Sequence, residues 1–92
     1  MFRAVTYLMN GGESVYFEDE NFKNVYKAAL YSIKHDEEIW TVHIFSEWHS
    51  KYKLTTSLIA TPVTSEIRDI FIKRPGDKKF IFLGSCFQKK IA

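Results

Sequence analysis

A chain of 92 residues, 46% hydrophobic and 26% charged, has the length and composition of one globular domain, which excludes an intrinsically disordered chain. From this length we expect a single domain over residues 1–92. No run approaches the about 20 apolar residues of a membrane-spanning helix, so we expect no membrane partner. Residues 1–46 hold four basic and seven acidic residues (net −3), whereas residues 47–92 hold nine and four (net +5). This asymmetry is compatible with a basic surface in the second half.

The first predicted elements form a β-hairpin. Residues 2–9 and 13–17 are extended and rich in β-forming residues, and Asn10-Gly11 lies between them. Both residues tolerate the positive φ angles that a type I′ turn requires. The sequence therefore predicts a hairpin that is closed by a type I′ turn.

One amphipathic helix is predicted over residues 20–35. Its apolar residues recur at i, i+3, i+4, i+7, i+8 and i+11 and make one stripe: Phe22, Val25, Tyr26, Ala29, Leu30 and Ile33. Asp19 or Asn21 is placed to cap its start, and Lys34 and His35 match the negative end of its dipole.

The rest of the chain is predicted to form strands, over residues 38–48, 52–61, 67–73 and 80–83, with residues 85–92 as a basic tail or last strand. The order is ββαββββ. We therefore predict an α+β fold, an antiparallel twisted sheet of about five or six strands with one helix packed on one face. In the first of these strands, alternation places Trp40 towards the core with Val42 and Ile44, and places Ile39 and His43 on the other face.

The helix is too narrow to cover such a sheet. Six strands span about 29 Å at the usual spacing, whereas a helix is about 10 Å wide. Several strands are nevertheless apolar on both faces, unlike strands with one face in water. The second face is therefore expected to be buried by closure into a barrel or sandwich, by a homodimer formed through the sheet face or edge, or by a different molecule.

Few residues suggest catalysis or metal binding. His43 and His49 lie six residues apart, about 20 Å along a strand, which is too far for one zinc ion. Glu47, His49 and Ser50 make only a weak acid–base combination, and Cys86 is interpreted as an inert thiol. We expect no enzyme, no cofactor and no metal. A single cysteine fits a reducing compartment, so we expect a cytoplasmic protein.

Basic residues near the predicted hairpin ends and tail suggest one class of partner. If the turns near residues 49–51 and 74–79 lie at the same end of the sheet, their basic residues form a rim for phosphates. The predicted nucleic-acid-binding residues are Lys51, Lys53, Lys73, Arg74, Lys78, Lys79, Lys89 and Lys90. The expected ligand is RNA or another single-stranded nucleic acid, whose bases aromatic side chains can stack against.

Aromatic side chains near one turn suggest a second class of partner. Trp and Tyr dominate the energetics of protein interfaces, so Phe45, Trp48 and Tyr52 are predicted to bind another protein. A short chain made almost wholly of structured elements is also typical of small adaptor and inhibitor proteins, including those of bacterial viruses. Our leading hypothesis is a non-enzymatic binding protein that occupies a surface of another protein, as an inhibitor or adaptor. The alternative is the nucleic-acid-binding protein.

Overall fold

The computed structural model describes residues 1–63 and 66–87, and it contains six strands and one helix in the predicted order. The elements are β1 (Phe2–Leu8), β2 (Glu13–Asp19), α1 (Phe22–His35), β3 (Ile39–Trp48), β4 (Lys51–Ala60), β5 (Ile67–Lys73) and β6 (Ile81–Phe87). The predicted residues Lys89 and Lys90 lie outside the described part of the chain. The α+β class and the ββαββββ order are confirmed.

All strands belong to one antiparallel sheet with the order β2-β1-β3-β4-β5-β6. Across the described residues β2 and β6 are its two edges and do not pair with each other, so the sheet is open and has not closed into a barrel. In residues 1–63 and 66–87 no helix is long and apolar enough to cross a membrane.

The core lies between α1 and one face of the sheet. Val25, Ala29 and Ile33 come from the predicted stripe of the helix and are fully buried against Ala4, Val42, Ile44 and Leu58 of the sheet. Asn21 is the N-cap, because its side-chain Oδ1 accepts a hydrogen bond from the backbone N–H of Lys23 at 2.9 Å. The helix therefore begins at Phe22, two residues later than predicted.

A bulge in β3 overturns the predicted placement of Trp40. Tyr7 is opposite Thr41, but Leu8 is opposite Ile39, so Trp40 is an extra residue in the β1–β3 ladder. The extra residue exchanges the two faces for the part of β3 that precedes it, which brings Ile39 into the core cluster. Trp40 is 44% exposed, so the expectation that it faces the core is wrong.

The turns also differ from the prediction. In the first hairpin only Gly11 has a positive φ (93°), and the N–H of Leu8 donates to the carbonyl of Gly12, which makes a three-residue loop rather than a type I′ turn. The paired positive φ angles of a type I′ turn occur between β3 and β4, at His49 (49°) and Ser50 (62°).

Arg68 joins β5 to the end of the helix, although its side chain is fully buried. Its guanidinium donates hydrogen bonds to the carbonyls of Thr61, Ile33, Asp36 and Glu37 at 2.8–3.0 Å. Burial lowers the pKa of Arg68, and the ionisable groups of Cys86, Asp36 and Glu37 act in the opposite direction. One side chain thus satisfies carbonyls that the end of α1 would otherwise leave without partners.

Candidate functional site

The face of the sheet opposite α1, which we call the open face, is the largest candidate site. Strand pairing places a continuous set of apolar and aromatic residues on it: Val5, Tyr7, His43, Phe45, Leu54, Ile59, Phe71 and Phe82. Most of these side chains are half-buried by their neighbours on the same face, and Phe82 is 55% exposed. No helix or loop of residues 1–63 and 66–87 covers them.

Aromatic rings run across the open face in edge-to-face contacts. The ring of His43 lies 4.9 Å from that of Tyr7 and 6.0 Å from that of Phe45, and Phe71 and Phe82 lie 5.6 Å apart. Such contacts contribute about 0.5–1.5 kcal/mol each beyond burial and favour one arrangement of the rings. The open face is therefore partly pre-organised for binding.

A shallow concavity of about 290 Å³ lies at the centre of the open face, towards β5. It is lined by His43, Leu54, Ser57, Ile59, Lys73, Arg74, Pro75 and Phe80. Burial lowers the pKa of His43 below its ordinary value, which favours the neutral ring. The concavity thus presents a mostly apolar floor with basic side chains at one rim.

The structure separates the three predicted partner-binding residues. Phe45 and Tyr52 lie on the open face, because directly paired residues share a face and their partners, Leu54 and Glu47, belong to that face. Trp48 pairs with Lys51 on the other face, at the tip of the β3–β4 hairpin, and is 75% exposed. The three residues therefore do not make one patch.

Tyr52 marks the polar end of the open face. The guanidinium of Arg3 lies 4.8 Å from the centre of its ring, and the Nε of Arg3 lies 2.8 Å from the Glu18 carboxylate. These contacts link β2, β1 and β4 across the face. Both are partly exposed, so they contribute orientation more than stability.

The predicted basic residues are also dispersed. Both hairpin turns lie at the same end of the sheet, as the phosphate-rim hypothesis requires, because β3, β4, β5 and β6 are successive antiparallel neighbours. The β4–β5 ladder starts at the Ser57–Lys73 pair, so Lys51 lies about 20 Å and Lys53 about 13 Å beyond that pair along β4. Lys73 lies on the open face with its Nζ 5.2 Å from the Phe80 ring, while Arg74, Lys78 and Lys79 belong to the β5–β6 turn.

The residues considered for acid–base chemistry do not assemble. Glu47 is opposite Tyr52 in the β3–β4 ladder, whereas the ring of His49 packs 4.9 Å from that of Trp48 in the turn. The half-buried Sγ of Cys86 lies 3.9 Å from the carbonyl oxygen of Lys34. Among the described residues no three metal-ligating side chains cluster.

Phe71 and Phe82, which extend the open face to the β6 edge, were not singled out from the sequence. Tyr7 was considered only for stacking on bases and His43 only as a metal ligand, and the structure places both on the open face. The sequence signal that could have identified Phe71 and Phe82 is a strand that is apolar on both faces, as residues 80–83 are. Comparison with known proteins found no matching family model, no similar curated protein and no similar solved structure.

Proposed function

We propose that this protein is a non-enzymatic binding protein that docks its open face on another protein, as an inhibitor or adaptor in a reducing, cytoplasmic setting. The observation that supports this proposal most is the continuous apolar and aromatic surface of the open face. Large apolar patches with polar surroundings are typical of protein interaction sites.

The size of the open face suits a stable protein complex. Six strands span about 29 Å, and strands of seven residues are about 23 Å long, so the face offers roughly 670 Å². A standard interface buries about 800 Å² on each partner. Docking of the open face alone would therefore supply most of such an interface.

The charges on the open face favour a protein over a nucleic acid. Strand pairing places four acidic residues there, against two basic ones: Glu13, Glu18, Glu47 and Asp69, and Arg3 and Lys73. Arg74 adds a third basic side chain at the rim of the concavity. Arg3 is already paired with Glu18. Binding to a phosphate backbone depends on excess positive charge, which the described residues of this face do not supply.

A photo-crosslinking experiment in the native host cell tests the proposal. Tyr52 on the open face and Tyr31 on α1 are both about half-exposed (49% and 60%), so each can be replaced by benzoylphenylalanine with little effect on folding. We expect protein adducts from position 52 and none of the same identity from position 31.

The other outcomes of this experiment are equally informative. Adducts between two copies of the chain from position 52 would show that a homodimer covers the open face. Adducts to nucleic acid, or the same adducts from positions 52 and 31, would contradict docking of the open face on a protein.

A further inference from the structure

A second uncovered surface lies on the helix side of the sheet, beside α1. The helix packs over β1, β2, β3 and β4, so β5 and β6 extend beyond it. Two concavities of about 320 and 270 Å³ both have Tyr26 in their lining, and we call them together the α1–β5 groove. It is lined by Phe22, Tyr26, Leu30, Lys34, Thr56, Ile70, Ile72, Arg74, Leu83, Gly84 and Ser85.

The dimensions of the α1–β5 groove match one helix. From Phe22 to Lys34 the helix wall is about 18 Å long, a little more than three helical turns. The two uncovered strands add about 10 Å of width, which equals the diameter of a helix. Arg68 and Cys86 bring the C-terminal end of α1 against β5 and β6, so the groove closes there and opens towards the β5–β6 turn.

The floor of the groove is apolar, and basic residues lie on its helix rim and at its open end. Tyr26, Leu30, Ile70 and Leu83 supply apolar surface, and Leu83 remains 42% exposed. Lys23 and Lys27 lie on the helix rim, because each is three residues before a floor residue, Tyr26 or Leu30, and so lies on the same side of α1. The helix contains no acidic residue. Arg74 lines the groove at its open end, where the β5–β6 turn also carries Lys78 and Lys79.

We propose that the α1–β5 groove binds an amphipathic helix of a partner protein, one whose apolar stripe is flanked by Asp and Glu. Apolar side chains at i, i+3, i+4 and i+7 would fill the floor, and the flanking carboxylates would face Lys23 and Lys27 on the helix rim and Arg74 at the open end. The floor favours a peptide over a nucleic acid, since it is mainly aliphatic. This site lies on the opposite side of the sheet from the open face and does not depend on it.

A designed peptide tests the proposal on the full chain. The probe is a fluorescein-labelled peptide of about 18 residues, with Leu at helical spacing and Glu on both flanks. Its affinity is measured by fluorescence anisotropy and compared with a scrambled peptide of the same composition. We expect the amphipathic probe to bind about tenfold more tightly, because only its register places the leucines on one face.

Two pairs of variants locate the binding. Leu83→Asp places a charge on the floor, whereas Val15→Asp makes the same change on the open face, where Val15 pairs with Val5 at the β2 edge and is also half-exposed. We expect the floor variant to weaken probe binding about tenfold and the edge variant to leave it unchanged. Lys27→Glu on the rim should weaken it severalfold, and Lys53→Glu on the β3–β4 hairpin should not.

Three results would overturn the proposal. These are equal binding of the scrambled peptide, indifference of probe binding to both Leu83→Asp and Lys27→Glu, and displacement of the probe by a uridine 12-mer RNA at comparable concentration. Circular dichroism of each variant checks folding, and Lys27 is exposed, so its substitution leaves the core intact. Crosslinking from position 52 of the Leu83→Asp variant reports separately on the open face.

Discussion

At the residue scale, Arg68 is the side chain on which the junction between α1, β3 and β5 depends. Three of its four carbonyl acceptors belong to residues 33–37, which end the helix and lead into β3. A planar guanidinium with several divergent N–H groups can reach all of them at once, whereas an ammonium group cannot. The residue therefore sets where the helix ends relative to the sheet.

Substitution of Arg68 is expected to be strongly destabilising. Arg68→Lys should lower the free energy of unfolding by about 3 kcal/mol, because buried carbonyls lose a charged hydrogen-bond donor. Urea-induced unfolding measures the change. The matched control is Arg3→Lys, which alters a partly exposed ion pair and should cost less than about 1 kcal/mol. Equal losses in the two variants would contradict this role of Arg68.

His43 gives the stability of the fold a dependence on pH. Burial lowers its pKa in the folded state below the ordinary value of 6.5, so the unfolded chain takes up a proton first as the pH falls. The free energy of unfolding should therefore decrease as the pH falls through about 6.5, and level off below the folded-state pKa. The Tyr7 ring and the basic residues Lys73 and Arg74 are the neighbours that a protonated His43 would face.

Replacing this histidine should remove that part of the pH dependence. We expect His43→Gln to lose less stability than the original chain between about pH 7.5 and 5, because the substituted side chain does not titrate. Urea midpoints at several pH values measure both slopes. Identical slopes would show that His43 is not the group responsible.

At the scale of single elements, the β3–β4 turn is built from residues that are poorly suited to it. His49 and Ser50 both adopt positive φ, a conformation that Asn and Gly adopt more readily. The double substitution His49→Asn with Ser50→Gly should therefore raise the free energy of unfolding by about 1 kcal/mol. Thermal and urea unfolding check the result. The control Ser46→Gly, in extended β3, should destabilise instead, and stabilisation by both would point away from turn geometry.

The periodic elements could be predicted from the sequence, and their irregularities could not. The stripe from Phe22 to Ile33 fixed the helix because only one face of it can meet a sheet. The bulge at Trp40 left no such signal, since an extra residue is tolerated wherever a ladder can shift. Thr55 in β4 and Leu83 in β6 are likewise extra residues in their ladders. Each bulge reverses the alternation on which a facial assignment depends.

At the scale of the whole molecule, the narrowness of one helix was the useful sequence-based expectation. It anticipated that a face of the sheet would lack a helical cover, and the open face with Phe45 and Tyr52 is that surface. The number of strands does not indicate which of them the helix covers, so the α1–β5 groove was not predicted. Arg68 was missed for a related reason, because its hydrogen-bond acceptors in residues 33–37 are remote in the chain.

The short ladder between β4 and β5 divides the molecule into two unequal leaves. The seam between them is a ladder of four residue pairs, from Ser57–Lys73 to Ala60–Ile70, and a hydrogen bond from the Thr61 N–H to the Asp69 carbonyl extends it. The larger leaf holds α1 and β1 to β4, while the smaller leaf, β5 and β6, is fastened to it at one end by the Arg68 side chain. Because Ile70 and Ile72 of the smaller leaf belong to the same buried cluster as α1, the two leaves share one interior, and a ligand that spans both would stabilise the seam between them.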